Sequence, residues 1–232
     1  MRSASAAPPP RPQDPRTPGP RTTAVRAALG LGLCSALLLV LVALRWHPLT
    51  ALDAAVARTA HRWAVGDQAF THVCRVLTDW VWDPLTMRLL CAVSAVWLVW
   101  RRAAWRTALW LVMWCTFGTL LQQGLKAAVG RPRPVWPDPV DSAQYAAFPS
   151  GHAMTATVVC GLLVRLLHQC GAGRGPRRAA LGVAGISVAG AGLTRVWLGV
   201  HWPSDVLGGW LLGAAVVAVA SALPDGWSPR AQ

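Results

Sequence analysis

The chain predicts an all-α, integral membrane protein built as a six-helix bundle, and three observations carry that prediction. Apolar residues make up 54% of the chain and charged residues only 13%, a balance outside the range of ordinary soluble domains. Apolar runs recur at residues 27–44, 85–100, 107–125, 153–167, 179–198 and 206–223. With its flanks each approaches the ~20 residues that a helix needs to cross a hydrocarbon core of about 30 Å. Arginines cluster in two short loops between the runs, as in chains whose orientation is set by cytoplasmic basic residues.

Residues 1–25 are rich in Pro, Arg, Ser and Ala, with almost no large apolar side chains. They cannot bury enough surface to fold and read as a disordered cytoplasmic tail. The run at 27–44 is longer than a signal-peptide core and has no small-residue cleavage site, so it is expected to remain as an anchor. Leu52, Ala55, Val56, Thr59 and Trp63 recur at helical spacing, with Asp53, Arg58 and Arg62 elsewhere on the wheel. That pattern predicts an interfacial helix that walls a lipid access route, with Trp80 and Trp82 anchored at the headgroup level. Residues 26–224 then form the six-span domain and 225–232 a short cytoplasmic tail.

With the N-terminus cytoplasmic, the loops holding Arg101, Arg102 and Arg106, and Arg174, Arg177 and Arg178, are cytoplasmic too and carry no acid. The same choice places Asp53, Asp67, Asp79, Asp83, Asp138, Asp141 and Asp205 outside, seven of the nine acidic residues. An even number of spans returns the C-terminus to the cytoplasm. The net charge of +13 is dispersed between loops and tail, so it does not form the basic face of a nucleic-acid-binding protein. Cys34, Cys91, Cys115 and Cys160 sit in apolar runs, and Cys74 and Cys170 fall on opposite sides of the membrane. No structural disulfide is expected.

Three short blocks carry chemistry. Lys126 is followed after six residues by Arg133-Pro134; then comes Pro149-Ser150-Gly151-His152; then Thr194-Arg195, His201 and Asp205. Under the predicted topology all three lie at the outer ends of the helices. Lys126 and Arg195 interrupt apolar runs, where charge is costly enough to imply a function. Catalysis of phosphoryl transfer is largely positioning and electrostatic stabilisation of non-bridging oxygens. Lys126, Arg133 and Arg195 have the charge for that task, and an arginine fork matches phosphate geometry. Pro149-Ser150-Gly151 reads as a helix start with free N–H groups facing an anion; Gly151 permits close backbone approach and Ser150 adds a hydroxyl donor. Pro203 suits the first turn of a helix, which brings Asp205 near one ring N–H of His201. His152, at the opposite helix start, is left to protonate a departing oxygen. No Asp/Glu cluster accompanies these residues, so neither a metal ion nor another cofactor is expected. Arg131-Pro132 repeats the Arg-Pro dipeptide too early for this spacing and reads as a decoy. His47, His61, His72 and His168 read as interfacial side chains.

The order and spacing of the three blocks resemble the type-2 phosphatidic acid phosphatase superfamily, with Thr194 where the family usually has serine. The resemblance covers residues 126–205 and implies a six-helix bundle with His201 as the nucleophile, forming a phosphohistidine that water hydrolyses. It implies a membrane phosphatase acting on a lipid phosphate or diphosphate at the outer face of the cell membrane. Candidate substrates are polyprenyl diphosphate, phosphatidylglycerol phosphate, phosphatidic acid and diacylglycerol diphosphate. The same residues would serve a lipid phosphotransferase; a non-enzymatic lipid-binding or transport component is the reading from a different class.

Overall fold

The computed structural model describes residues 19–223. The tail predicted over residues 1–25 lies outside the described residues up to 18, and the tail predicted over 225–232 lies outside them entirely. Among the described residues the chain forms α1 (Pro20–Ala43), α2 (His47–Gly66), α3 (Gln68–Val76), a π-helical turn (Leu77–Val81), α4 (Pro84–Arg102), α5 (Trp105–Val129), α6 (Gly151–Gln169), α7 (Arg174–Trp197) and α8 (Pro203–Ala222). Helix α1 starts at Pro20, inside the stretch read as tail, because proline at a first helical position forfeits no hydrogen bond.

The six predicted runs map onto α1, α4, α5, α6, α7 and α8. Five helical stretches among the described residues are long and apolar enough to cross a membrane, one of them running through α3 and the π turn into α4. Helix α5 is not among them, although its 25 residues reach about 37 Å at 1.5 Å per residue. Its last third carries Gln122, Gln123 and Lys126. Gln122 and Lys126 are buried, turned into the bundle as polar groups in a spanning helix must be.

Helices α6 and α8 form the centre: α8 packs along α1 and α6, α6 also packs on α7, and α4 pairs with α5. Leu98, Leu111, Met154 and Leu162 fill the core between α4, α5 and α6. The seam between α6 and α8 is set by small residues. A Cβ on Gly209 would meet the Ser150 carbonyl at 2.8 Å, and one on Gly213 the Met154 carbonyl at 3.0 Å, so two glycines four residues apart let the backbones touch. At one end of the bundle Arg21 Nε donates to the Ala222 carbonyl at 3.1 Å, which puts the start of α1 beside the end of α8. The other end carries α2, α3, the π turn and residues 130–150.

Helix α2 exists as predicted, and its faces are distributed as the membrane dictates. Leu52, Val56 and Trp63 are exposed, whereas Asp53, Ala57, His61 and Ala64 are buried against the bundle. Two expectations are corrected here. His61 is not an interfacial side chain: it is buried, stacks on Trp136 at 4.2 Å and pairs with Asp138 at 2.9 Å. Trp82 is not at the surface: it packs over Gly190 of α7, where a Cβ would lie 2.2 Å from the indole. Trp80 is exposed.

Candidate active site

The third block owes its geometry to the turn between α7 and α8. Helix α7 ends at Trp197, and Gly199 takes a positive φ of 68°, a conformation glycine reaches without steric cost. The chain then folds back so that the N–H groups of Val200 and His201 both reach the Arg195 carbonyl at 3.2 Å. Pro203 starts α8, and Asp205 in its first turn accepts the Trp202 N–H at 2.8 Å. Arg195, His201 and Asp205 are brought together by hydrogen bonds local to this turn.

His201 is 2% exposed and Asp205 fully buried. The ring Nδ1 of His201 faces Asp205 Oδ2 at 3.4 Å, and its Nε2 faces an Arg133 Nη1 at 3.1 Å. A guanidinium can only donate, so Nε2 carries the lone pair and the proton resides on Nδ1, toward the carboxylate. Burial, followed by the charges of Arg133, Arg195 and Lys126, holds the His201 ring well below the ordinary histidine pKa. The ring is a free base at neutral pH.

The second block closes the site from α6. Ser150 is the N-cap of α6, and its N–H donates to the Asp205 carbonyl at 2.9 Å, tying the start of α6 to α8. Its hydroxyl is buried with no hydrogen-bond partner among the described residues, an open donor at a helix N-terminus. A Cβ at Gly151 would stand 3.0 Å from the Gln122 amide nitrogen. His152, one residue on, interacts electrostatically with Lys126, Arg133, Arg195 and His201.

The three cations converge from α5, the segment after it and α7. Lys126 Nζ donates to the Ala146 carbonyl at 2.5 Å. Arg133 donates to the carbonyls of Gln144 at 3.0 Å, Tyr145 at 2.9 Å and Val200 at 2.6 Å. Arg195 contacts Asp141 at 3.4 Å and Thr78 at 3.5 Å, and its Nε has no partner among the described residues. These contacts are mostly neutral carbonyls or long, weak approaches, which phosphate oxygens can replace with stronger charge-assisted bonds. Thr194 spends its hydroxyl on the Gly190 carbonyl of its own helix at 2.8 Å, a bond serine can also make, so its hydroxyl is not offered to a ligand.

Two residues outside the blocks belong to the site, and one corrects the sequence reading. Arg131 is no decoy: it donates to Asp205 Oδ1 at 2.6 Å, to the Ser204 hydroxyl at 2.7 Å and to Asp53 Oδ2 at 2.7 Å. Asp53 of α2 also accepts from the Ser204 N–H at 2.9 Å and the Ser204 hydroxyl at 2.5 Å. The one signal in sequence was an aspartate on a helix whose opposite face is apolar.

Fold and geometry together define a multi-pass membrane protein with a buried histidine, carboxylate and three cations at one end of its bundle. The sequence profile of the PAP2 superfamily matches residues 107–228, more than half of the chain, and the chain belongs to that superfamily. It is 36% identical over 107 residues to phosphatidylglycerophosphatase B of Bacillus subtilis, covering 44% of this chain and 52% of that one. It is 35% identical over 105 residues to decaprenylphosphoryl-5-phosphoribose phosphatase of Mycobacterium tuberculosis, covering 44% of this chain and 52% of that one. It is 34% identical over 131 residues to lipid A 1-phosphatase of Rhizobium etli, covering 48% and 52%. The matches span about half the length of these relatives. The crystal structure of a transmembrane PAP2-type phosphatidylglycerolphosphate phosphatase from Bacillus subtilis shares the fold, with a TM-score of 0.73 at 23% identity over 84% of this chain and 94% of that one.

Proposed function

We propose that the protein is a lipid phosphatase that hydrolyses a lipid phosphate or diphosphate ester through a phosphohistidine on His201. The observation that carries this reading is the two-sided setting of the His201 ring, with Asp205 on Nδ1 and a donor-only cation on Nε2. The relatives' names, each a phosphatase of a lipid-linked phosphate, support the reaction class.

The steps follow from the groups present. A phosphate group between α6 and the α7–α8 turn takes Arg133 off Nε2 and binds Lys126, Arg133 and Arg195, with the Ser150 hydroxyl and the α6 N-terminus as neutral donors. The freed Nε2 lone pair attacks phosphorus and the P–O bond to the leaving group breaks; His152, which takes up a proton when the phosphate anion offsets the surrounding cations, gives that proton to the departing oxygen. Asp205 stabilises the positive charge on the His201 ring. Water then attacks the phosphohistidine, passing a proton to His152 as the P–N bond breaks, and both histidines return to their starting states.

The reaction side follows from arginine placement: the loops with Arg101, Arg102 and Arg106, and with Arg174, Arg177 and Arg178, face the cytoplasm, so the site faces outward. The amphiphilic substrate keeps its tail in lipid and its headgroup at the cations. The deciding experiment measures phosphate release by purified protein from phosphatidic acid, diacylglycerol diphosphate, phosphatidylglycerol phosphate and a polyprenyl diphosphate. Release from at least one, abolished in His201→Ala, is expected; no release from any of the four would overturn the reading.

A further inference from the structure

We propose that Arg131 and Asp53 are positioning residues for this reaction, acting through Asp205 to set the tautomer and direction of His201, which makes interfacial helix α2 part of the catalytic apparatus. The inference rests on the assignment of His201 as nucleophile.

Asp205 is a carboxylate with no exposure to solvent. Its Oδ2 serves the Trp202 N–H and His201 Nδ1, and its Oδ1 takes the Arg131 guanidinium at 2.6 Å. An uncompensated carboxylate buried this way takes up a proton. A protonated Asp205 can donate to Nδ1 instead of accepting from it, which moves the ring proton to Nε2 and removes the attacking lone pair. Arg131 therefore keeps the dyad in its working tautomer. Arg131 is in turn held on its other side by Asp53 at 2.7 Å, and Ser204 bridges the pair with contacts of 2.7 Å to Arg131 and 2.5 Å to Asp53. The linkage spans elements 78 and 151 residues apart in sequence. Among the described residues the hydrogen bonds of Arg131 and Asp53 lead to the His201 ring through Asp205, so their effect on chemistry passes through it.

The charged groups around Asp205 come from every neighbouring element: Lys126 from α5, Arg131 and Arg133 from the segment after it, Asp53 from α2, His201 from the turn before α8, with His152 of α6 beyond the ring. Lys126 and Arg133 are committed to the phosphate side, which leaves Arg131 as the cation bonded to the carboxylate. A cavity of about 280 Å³ lined by Asp53, Arg131, Trp202, Arg45 and Val129 opens beside the guanidinium. It gives a small cation a way to the space that a truncated Arg131 leaves.

The test uses the full chain in detergent and the lipid phosphate of the four-member panel with the highest wild-type rate. Arg131→Ala is expected to lower kcat about 100-fold, the effect of misplacing a reacting group, with KM within about threefold. The acid limb of its rate profile moves to higher pH, because Asp205 without its cation protonates more readily. Millimolar guanidinium chloride restores part of kcat, and equal sodium chloride does not. Asp53→Asn and Arg131→Lys show the same pH displacement with smaller losses, of about tenfold, and they carry the test if Arg131→Ala does not fold. Unaltered kcat and acid limb in folded Asp53→Asn and Arg131→Lys overturns the inference, as does a loss that guanidinium never relieves in folded Arg131→Ala. An active His201→Ala protein would instead remove the nucleophile assignment.

Discussion

Arg133 donates to the Nε2 atom of His201 at 3.1 Å, on the side of the ring away from Asp205. The Nε2 lone pair is thus occupied by one of the cations expected to bind phosphate. Arg133 is anchored by the carbonyls of Gln144, Tyr145 and Val200, so it has only a short distance to travel when phosphate arrives. In the proposed reaction, freeing the Nε2 lone pair and capturing the phosphate are one event.

His201→Ala is expected to remove turnover by at least ~1,000-fold while the protein still elutes as a folded species in detergent, since the loss takes away the covalent route and not the bundle core. Asp205→Asn should cost about 100-fold or more and also lower the melting temperature, because Arg131 loses one of its two carboxylate partners and keeps only Asp53. Near-normal phosphate release by the alanine variant would contradict the mechanism.

The His201 pKa makes a prediction about pH. Burial and then Arg133, Arg195 and Lys126 hold the ring well below its ordinary value, so the free base persists as pH falls through about 6.5, where an unperturbed histidine is half protonated. The wild-type kcat/KM profile should show no loss due to His201 there. Arg133→Gln removes one of those charges, so the ring protonates at higher pH and the acid limb should move toward neutrality. Profiles taken with one substrate cancel its own ionisation; an unmoved limb in Arg133→Gln argues against the assignment.

The candidate site residues that the structure brings together were readable in the sequence because phosphoryl chemistry needs particular residue types and the short turns of this fold keep them in short blocks. Arg195, His201 and Asp205 are joined by one glycine turn and one helix start, both local signals. Asp53 and Arg131 were not readable in the same way. Their contact joins residues 78 apart, and α2 turns Asp53 and His61 inward while Leu52, Val56 and Trp63 stay exposed beside Arg58 and Arg62, an inversion of where such polar residues sit beside water. The same inversion hid His61, whose partners Trp136 and Asp138 come from the segment after α5. The six spans were legible as apolar runs, and α5 escapes a purely compositional criterion because its functional end is polar.

Vanadate should inhibit and chelators should not. Its trigonal-bipyramidal form can bond His201 Nε2 and place oxygens against Lys126, Arg133 and Arg195, resembling the transition state. Among the described residues no group of three or more His, Cys, Asp or Glu stands ready to hold a metal ion. Activity abolished by a chelator and restored by magnesium would point to a different phosphatase chemistry.

Gly209 of α8 is a packing test that bears on the site. A Cβ there meets the Ser150 carbonyl at 2.8 Å and the Ala153 Cβ at 2.9 Å, too close without moving α6 away from α8. Gly209→Ala should destabilise the protein by about 1–3 kcal/mol and displace Ser150 and His152 from His201, lowering kcat more than it raises KM. Gly124→Ala, on α5 where a Cβ meets nothing within 4 Å, serves as the matched control. Equal melting temperature and kcat in the two variants would remove the seam from the account of the site.

Membrane orientation provides the last prediction. The site end of the bundle carries residues 130–150, and the opposite end carries the loops with Arg101, Arg102 and Arg106, and with Arg174, Arg177 and Arg178. Short loops rich in arginine tend to remain cytoplasmic, which predicts the site outside. Ser142 and Gly173 are both exposed and lie at opposite ends, so single cysteines at these positions in a cysteine-free background report the two faces. An impermeant thiol reagent applied to intact cells should label Ser142→Cys and spare Gly173→Cys until the membrane is permeabilised. The reverse pattern would place hydrolysis on cytosolic lipid phosphates and exclude any substrate released at the outer face, while leaving the His201 chemistry as it stands.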